Sequence, residues 1–396
     1  MTHSDRSSLL RQSLTLIDHD QALINACLQW QSCQVLALDT EFERARTYYP
    51  RAGLIQVYDG HRVYLIDPLA LSSLAPLFEV LRAPRVLKIL HAASQDLEVF
   101  YRLGQTLPYP LFDTQIAAAF AGYGYASGYQ RLVSRALSVE LTKAETRSDW
   151  LQRPLTQAQA IYAAQDVLYL LPLYQKLQQR LAERGREHWV SQEMERALDL
   201  HRFHTIDDSL YRRIPQAWQL DPRGLEILRI LCLWREEQAR IRNRPRRFIM
   251  PDPVMLEIAC RRPITPALLP TIRGISSAEI ARSADTLVDL VHHALNLPEA
   301  ALPNLLPHPG ESRANAVLVG KLKAIVAEKA AALGMPPQVL AQNRLLESMV
   351  HRAKTTGIDE LPLPLKGWRE AVIGEALLEA LQESAHDCRA ASNPAG

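Results

Sequence analysis

The sequence predicts an α/β domain built on a mixed sheet, followed by an all-α region. Two observations carry this reading. Apolar runs of strand length fall between Val35 and Phe112, first in quick succession and then alternating with helical periods. Beyond Leu181 leucine and charge recur only at helical spacing, and no strand pattern returns.

Taken in order, Asp20–Cys33 reads as an opening helix. Val35–Asp39, Leu54–Tyr58 and Val63–Asp67 read as strands, with turn chemistry at Pro50-Arg51-Ala52-Gly53 and a hairpin signal at Asp59-Gly60. Leu71–Leu81 is an amphipathic helix, Val86–Leu90 a fourth strand, Ser94–Leu103 a helix and Leu111-Phe112 a short fifth strand. Helices follow at Thr114–Ala121 and Tyr129–Leu137. A meander followed by β-α-β-α gives a mixed sheet. Thr156 with Gln159 forms a capping-box signature and starts a helix that continues towards Leu173, kinked or broken at Pro172. Pro298, Pro303, Pro307 and Pro309 crowd one segment, so 297–311 is expected to link two helical units. The expected division is an α/β domain at 1–205, helical domains at 206–296 and 312–383, and a disordered polar tail at 384–396.

At 396 residues, 47% of them hydrophobic, the chain can bury two or three ordinary cores. A net charge of +2 announces no partner by itself, so local clusters decide. Five scattered cysteines without a C-x-x-C pair argue for reduced thiols and against zinc. The charged N-terminus does not read as a signal peptide, and no apolar run approaches bilayer length. A cytoplasmic, monomeric protein without membrane attachment is expected.

The stretch Leu38-Asp39-Thr40-Glu41-Phe42 closes the apolar run Val35-Leu36-Ala37-Leu38. Strand side chains alternate, so Asp39 and Glu41 point to one side. Two such acids repel each other unless a positive group intervenes, and a divalent cation is the usual answer. Asp96 falls in the first turn of a helix that starts where a strand ends, where α/β sheets bind ligands. An acid in a helix's first turn is also ordinary dipole compensation. Tyr162 and Asp166 lie four apart on one helix face. Asp166 sits among Ala163, Ala164, Val167 and Leu168, where a charge either needs a partner or faces solvent.

Together, Asp39 and Glu41, Asp96, and Tyr162-x-x-x-Asp166 resemble the three motifs of the DEDD exonuclease superfamily, in its tyrosine subgroup. The histidine subgroup would place a His five residues before the last Asp, where this chain has Ile161. Leu38-Asp39-Thr40-Glu41-Phe42, the segment from His91 to Asp96, Arg147-Ser148-Asp149-Trp150 with Arg153-Pro154-Leu155, and Tyr162-Ala163-Ala164-Gln165-Asp166-Val167 resemble the bacterial ribonuclease D family. The resemblance implies a ribonuclease-H-like fold and a phosphodiesterase using two divalent ions, Mg²⁺ or Mn²⁺, held about 3.5–4 Å apart. It further implies that Asp39 bridges both ions, Glu41 and Asp166 ligate directly, and Asp96 acts partly through water. Tyr162 would orient the attacking water, and the substrate would be RNA with a free 3′ end, such as precursor tRNA.

Lys143, Arg147 and Arg153 precede the motif helix and are candidates either for RNA phosphates or for solvated surface. His91 is read as a strand-end histidine that fixes the following turn. Arg240, Arg242, Arg244, Arg246 and Arg247 lie within eight residues that contain no acid, which suits either a phosphate-tracking patch or a solvated face. Ile214–Leu295 resembles the helical HRDC domain, and the unit ending in Gly367-Trp368-Arg369 resembles a degenerate second one. Three functions follow: an exoribonuclease releasing 5′-mononucleotides, a DNA 3′→5′ exonuclease with the same carboxylates, or a catalytically silent RNA-binding protein. The intact set of five motif residues argues against the last.

Overall fold

The computed structural model describes residues 14–141, 148–202, 207–306, 308, 315–355, 357–358 and 360–391. The chain forms two compact units. The first holds a six-stranded mixed sheet. Its elements are β1 (Leu14–Ile17), α1 (Asp20–Trp30), β2 (Val35–Glu43), β3 (Arg51–Tyr58), β4 (Val63–Ile66), α2 (Ala75–Arg82), β5 (Leu87–Leu90), α3 (Ser94–Gly104) and β6 (Leu111–Asp113). Helices α4 (Thr114–Phe120), α5 (Tyr129–Leu137), α6 (Gln157–Leu168), α7 (Leu170–Ala182) and α8 (Glu187–Arg202) follow.

The strand order is β1-β4-β3-β2-β5-β6. β2, β3 and β4 form the expected antiparallel meander, while β1, β5 and β6 join in parallel. β1 has no counterpart among the predicted strands, because four residues show no period and only pairing with β4 defines it. β2 runs to Glu43, well past the expected end at Asp39, because β3 pairs with it from Ala37 to Glu43. Asp39 and Glu41 are therefore held inside a hydrogen-bonded strand. At the hairpin, the Asp59 carboxylate accepts the backbone N–H groups of His61 and Arg62 at 2.8 and 2.7 Å.

Alternation along β2 divides the core. Leu36 and Leu38 pack with Leu23, Leu77 and Phe100 of α1, α2 and α3. Ala37 faces the other way, in the cluster that holds Ala163, Ala164 and Val167 of α6. The predicted long helix breaks at Tyr169, and Pro172 sits in the first turn of α7, where its missing N–H costs no intrahelical bond. The segment before α6 is clamped by Arg153. Its guanidinium donates to both Asp67 oxygens at 2.5 and 2.7 Å and to the carbonyls of Gly53 and Trp150 at 2.5 and 2.9 Å. Arg153 is thus committed to Asp67, which removes it as a phosphate ligand. Gly53 is required there, since a Cβ would lie 2.4 Å from the Trp150 carbonyl oxygen.

The second unit groups residues after α8 with the loop Arg44–Pro50. Its helices are α9 (Pro222–Ile241), α10 (Asp252–Arg261) and α11 (Ser277–Asn296) around a core of Leu228, Leu231, Met255, Ile258, Leu287 and Val291. Pro307 and Pro309 of the expected linker lie outside the described residues.

The C-terminal helices α12 (Ala316–Ala332), α13 (Asn343–Thr355) and α14 (Glu375–Ala391) belong to the first unit rather than standing apart. Trp368 stacks on Trp189 with centroids 4.8 Å apart and meets Phe120 edge-on at 5.2 Å. Glu193 of α8 accepts two bonds from Arg369 at 2.6 and 2.8 Å and one from Trp368 Nε1 at 2.9 Å. Sequence could not show that these side chains meet, because their partners lie some 175 residues upstream. α14 also continues to Ala391, through the first part of the predicted tail. The Ala-rich composition there favours helix.

Glu193→Ala would leave Arg369 without its carboxylate in a poorly solvated site. A cost on the order of 3 kcal/mol is expected, measured as a lower urea midpoint. A wild-type midpoint would show that apolar packing alone holds these helices.

Candidate active site

The site forms where β2 passes beneath α6. Asp39 and Glu41 lie on the β2 face that carries Ala37, and Tyr162 and Asp166 stand one turn apart on α6. The capping box is complete. Thr156 caps the Gln159 N–H at 3.2 Å, and Gln159 Oε1 accepts the Thr156 N–H at 2.9 Å. At the other end of α6 the Tyr129 hydroxyl donates to the Gln165 carbonyl at 2.8 Å and accepts the Tyr169 N–H at 3.3 Å. This stitches the helix break beside Asp166. Trp150 flanks Tyr162 with ring centroids 6.1 Å apart.

Carboxylate oxygens of Asp39, Glu41 and Asp166 come within 4.8 Å of one another. Asp96 stands beside this trio but outside it. Its Oδ1 accepts the Thr40 N–H at 3.1 Å and the Thr40 hydroxyl at 2.5 Å. The turn leading into α3, which carries Asp96, is held by Asp113. That carboxylate accepts the N–H groups of Ala92, Ala93 and Gln115 at 3.0, 2.8 and 2.8 Å. Ala92 takes a left-handed φ of 54° to make the turn. His91 bonds Thr114 Oγ1 at 2.9 Å, in keeping with its reading as a turn-fixing residue.

The electrostatics follow from crowding. Burial, then the carboxylates of Asp96, Asp166 and Glu41, hold Asp39 well above the usual carboxylate range. Burial, with Asp166 and Asp96, pushes Glu41 up to about 8. Burial raises Asp96 to about 7 against the Thr40 hydrogen bond, and Asp166 to about 7 against the bond from Tyr162. Burial and the adjacent Asp166 lift the Tyr162 phenol well above its ordinary value, so at neutral pH it is a hydrogen-bond donor and not a base. A group of hard carboxylate oxygens that all resist ionisation for want of positive charge fits a divalent cation of the Mg²⁺ or Mn²⁺ type.

Of the candidate RNA-binding residues, Lys143 and Arg147 lie outside the described residues. The arginine run belongs to the second unit, and two acids outside the run reach it, Glu236 from four residues before Arg240 and Glu279 from the later helix α11. Arg242 donates to both Glu279 oxygens at 3.0 and 2.8 Å. Arg246 pairs with Glu236, and Arg240 lies 3.5 Å from Glu236 and 3.3 Å from the Tyr48 hydroxyl. Arg247 lies over the exposed Phe248 ring at 4.9 Å. The exposed Arg244 lines a cavity of about 460 Å³ with Arg242, Phe248, Ile249 and Arg282. Once folded, the run without acids holds three guanidiniums paired with Glu236 or Glu279, while Arg244 and Arg247 are exposed.

Sequence reading did not single out Thr40 or Tyr129. Thr40 lies inside the first motif, so its spacing was visible, but its bond to Asp96 spans 56 residues. Nothing local marks Tyr129, whose partners are 36 and 40 residues away.

A mixed sheet carrying two strand carboxylates, opposed by a Tyr-x-x-x-Asp helix, defines a 3′→5′ exonuclease of the DEDD type. Residues 14–182 match the 3′-5′ exonuclease family, and residues 224–291 match the HRDC domain. The chain is 42% identical over 368 residues to ribonuclease D of Pseudomonas paraeruginosa, spanning 93% of this chain and 97% of that one. It is 37% identical to ribonuclease D of Escherichia coli, over 93% of this chain and 98% of that one. The crystal structure of E. coli RNase D, described as an exoribonuclease involved in structured RNA processing, superposes with a TM-score of 0.83 at 36% identity. It covers 93% of this chain and 99% of its own. The chain belongs to the ribonuclease D family and is an exoribonuclease acting on RNA from the 3′ end.

Thr40→Val removes the hydroxyl that fixes Asp96 and keeps the strand shape. A roughly tenfold lower kcat/KM on RNA is expected with little change in thermal midpoint. Wild-type turnover would show that the backbone bond from Thr40 suffices.

Proposed function

We propose that this exoribonuclease trims precursor RNAs, tRNA precursors in particular, to 5′-mononucleotides with the help of two divalent cations, Mg²⁺ or Mn²⁺. The observation that supports it best is the convergence of Asp39, Glu41 and Asp166 oxygens within 4.8 Å. In this reading Asp39, Glu41 and Asp166 would hold the cations, and Asp96 would contribute from its Thr40-held position. Bound cations would offset the charge of the scissile phosphate and acidify the attacking water. Tyr162, kept protonated and bonded to Asp166, orients that water by hydrogen bonding. The extended tRNA substrate agrees with the structured-RNA processing ascribed to the E. coli relative.

The helical region 206–296 serves in this reading as the RNA-positioning module, and the protein works as a monomer in the cytoplasm. The exposed Arg244 and Arg247 are its phosphate contacts. Arg240, Arg242 and Arg246 contribute less, because their guanidiniums already face Glu236 and Glu279. Lys143 and Arg147 precede the motif helix and are proposed to meet phosphates nearer the cleaved end.

The test incubates the protein with Mg²⁺ or Mn²⁺ and matched 3′-extended tRNA, unstructured RNA and single-stranded DNA. Stepwise shortening of RNA to mononucleotides, fastest on the tRNA extension, is expected. Equal degradation of DNA would favour the general-exonuclease alternative, and no product in either cation would favour a silent RNA-binding protein. Asp39→Asn is expected to slow hydrolysis by on the order of a thousandfold with the fold intact by circular dichroism. Tyr162→Phe is expected to keep cation binding while single-turnover rates fall about a hundredfold. Exchanging Arg244 and Arg247 for Gln should flatten the slope of log affinity against log salt.

A further inference from the structure

Gln56 lies on β3 directly opposite Asp39 on β2. Opposed residues of an antiparallel pair share a sheet face, with Cβ atoms about 4.5–5.5 Å apart. That face is the one beneath α6, since Leu54 and Leu65, the same-face neighbours of Gln56, cluster with Ala163, Ala164 and Val167. Gln56 is 0% exposed. Neither its Oε1 nor its Nε2 has a hydrogen-bond partner among the described residues.

A buried amide with both ends unpaired is costly, and a leucine of similar volume would pack without that cost. The polar group within its reach across the strand is Asp39. Asp39 has a backbone bond from Thr40 and is otherwise surrounded by like charges from Asp96, Asp166 and Glu41. A carboxylate that ligates a cation is ordinarily steered by an outer hydrogen-bond donor. A neutral amide suits that task, because a lysine or arginine would neutralise Asp39 and compete with the cation for it. Resting on the cation reading of the Asp39 cluster, we propose that Gln56 is a positioning residue of that site. Its side-chain amide donates to the Asp39 carboxylate when divalent cations are bound and holds it in its ligating orientation.

Mn²⁺ titration of the full chain, followed by electron paramagnetic resonance of the unbound ion, tests this on wild type, Gln56→Leu, Gln56→Met and Asp39→Asn. Gln56→Leu is expected to fold with a cation-free thermal midpoint at or above that of wild type, since an unpaired amide is lost. Its Mn²⁺ affinity should fall about 10–100-fold. kcat should fall with KM for RNA unchanged, and raising Mn²⁺ should restore it. Gln56→Met carries the same measurement if leucine's branching disturbs packing. Lost binding in Asp39→Asn with wild-type affinity in the Gln56 variants would overturn the proposal alone. Wild-type affinity in Asp39→Asn would overturn the cation reading, and the proposal with it.

Discussion

Four carboxylates gathered around β2 repel each other, and the surrounding structure is arranged to hold them in spite of it. Asp39, Glu41 and Asp166 bring oxygens within 4.8 Å with only partial access to water. Their ionisation is resisted by burial and then by one another. Such an arrangement stores a demand for positive charge, and that demand is what makes it a site. Neighbouring polar groups pin the segments that carry Asp96 and Asp166 without neutralising them. Thr40 holds Asp96, Asp113 holds the turn into α3, and Tyr129 holds the end of α6. Arg153, just before the motif helix in sequence, is used elsewhere, on Asp67.

The C-terminal helices bear on the same economy of charge. α8 offers Glu193 to Arg369 and Trp368, and Trp189 to Trp368, so the last helical region shares one hydrophobic cluster with the nuclease helices. Inside this unit it packs against and braces the nuclease helices. The HRDC-matching unit keeps its own core and its own ion pairs, and Glu236 and Glu279 decide which arginines of the run are paired.

The fold class was legible, and the five motif candidates could be named, because each is written locally. Alternating apolar runs gave the strands, the Asp59-Gly60 turn gave the hairpin, and Thr156 with Gln159 gave the start of α6. β1 was not legible, because a four-residue strand exists only by pairing. The arginine run looked free of acids because Glu236 lies just outside it, four residues before Arg240, and Glu279 reaches it from a helix more than thirty residues later. Gln56 looked like an unremarkable polar residue in an apolar strand, and only the β2–β3 register sets it against Asp39.

The sequence by itself determined most of the elements and the strand and helix positions of the candidate site residues, since periodicity, capping and motif spacing act over a few residues. Tertiary structure decided how those side chains meet. It put Asp96 on Thr40 and outside the trio of carboxylates, committed Arg153 to Asp67, and made the C-terminal helices part of the nuclease unit. These outcomes depend on hydrogen bonds and ion pairs between distant segments, and their energies arise only when burial removes water from both partners.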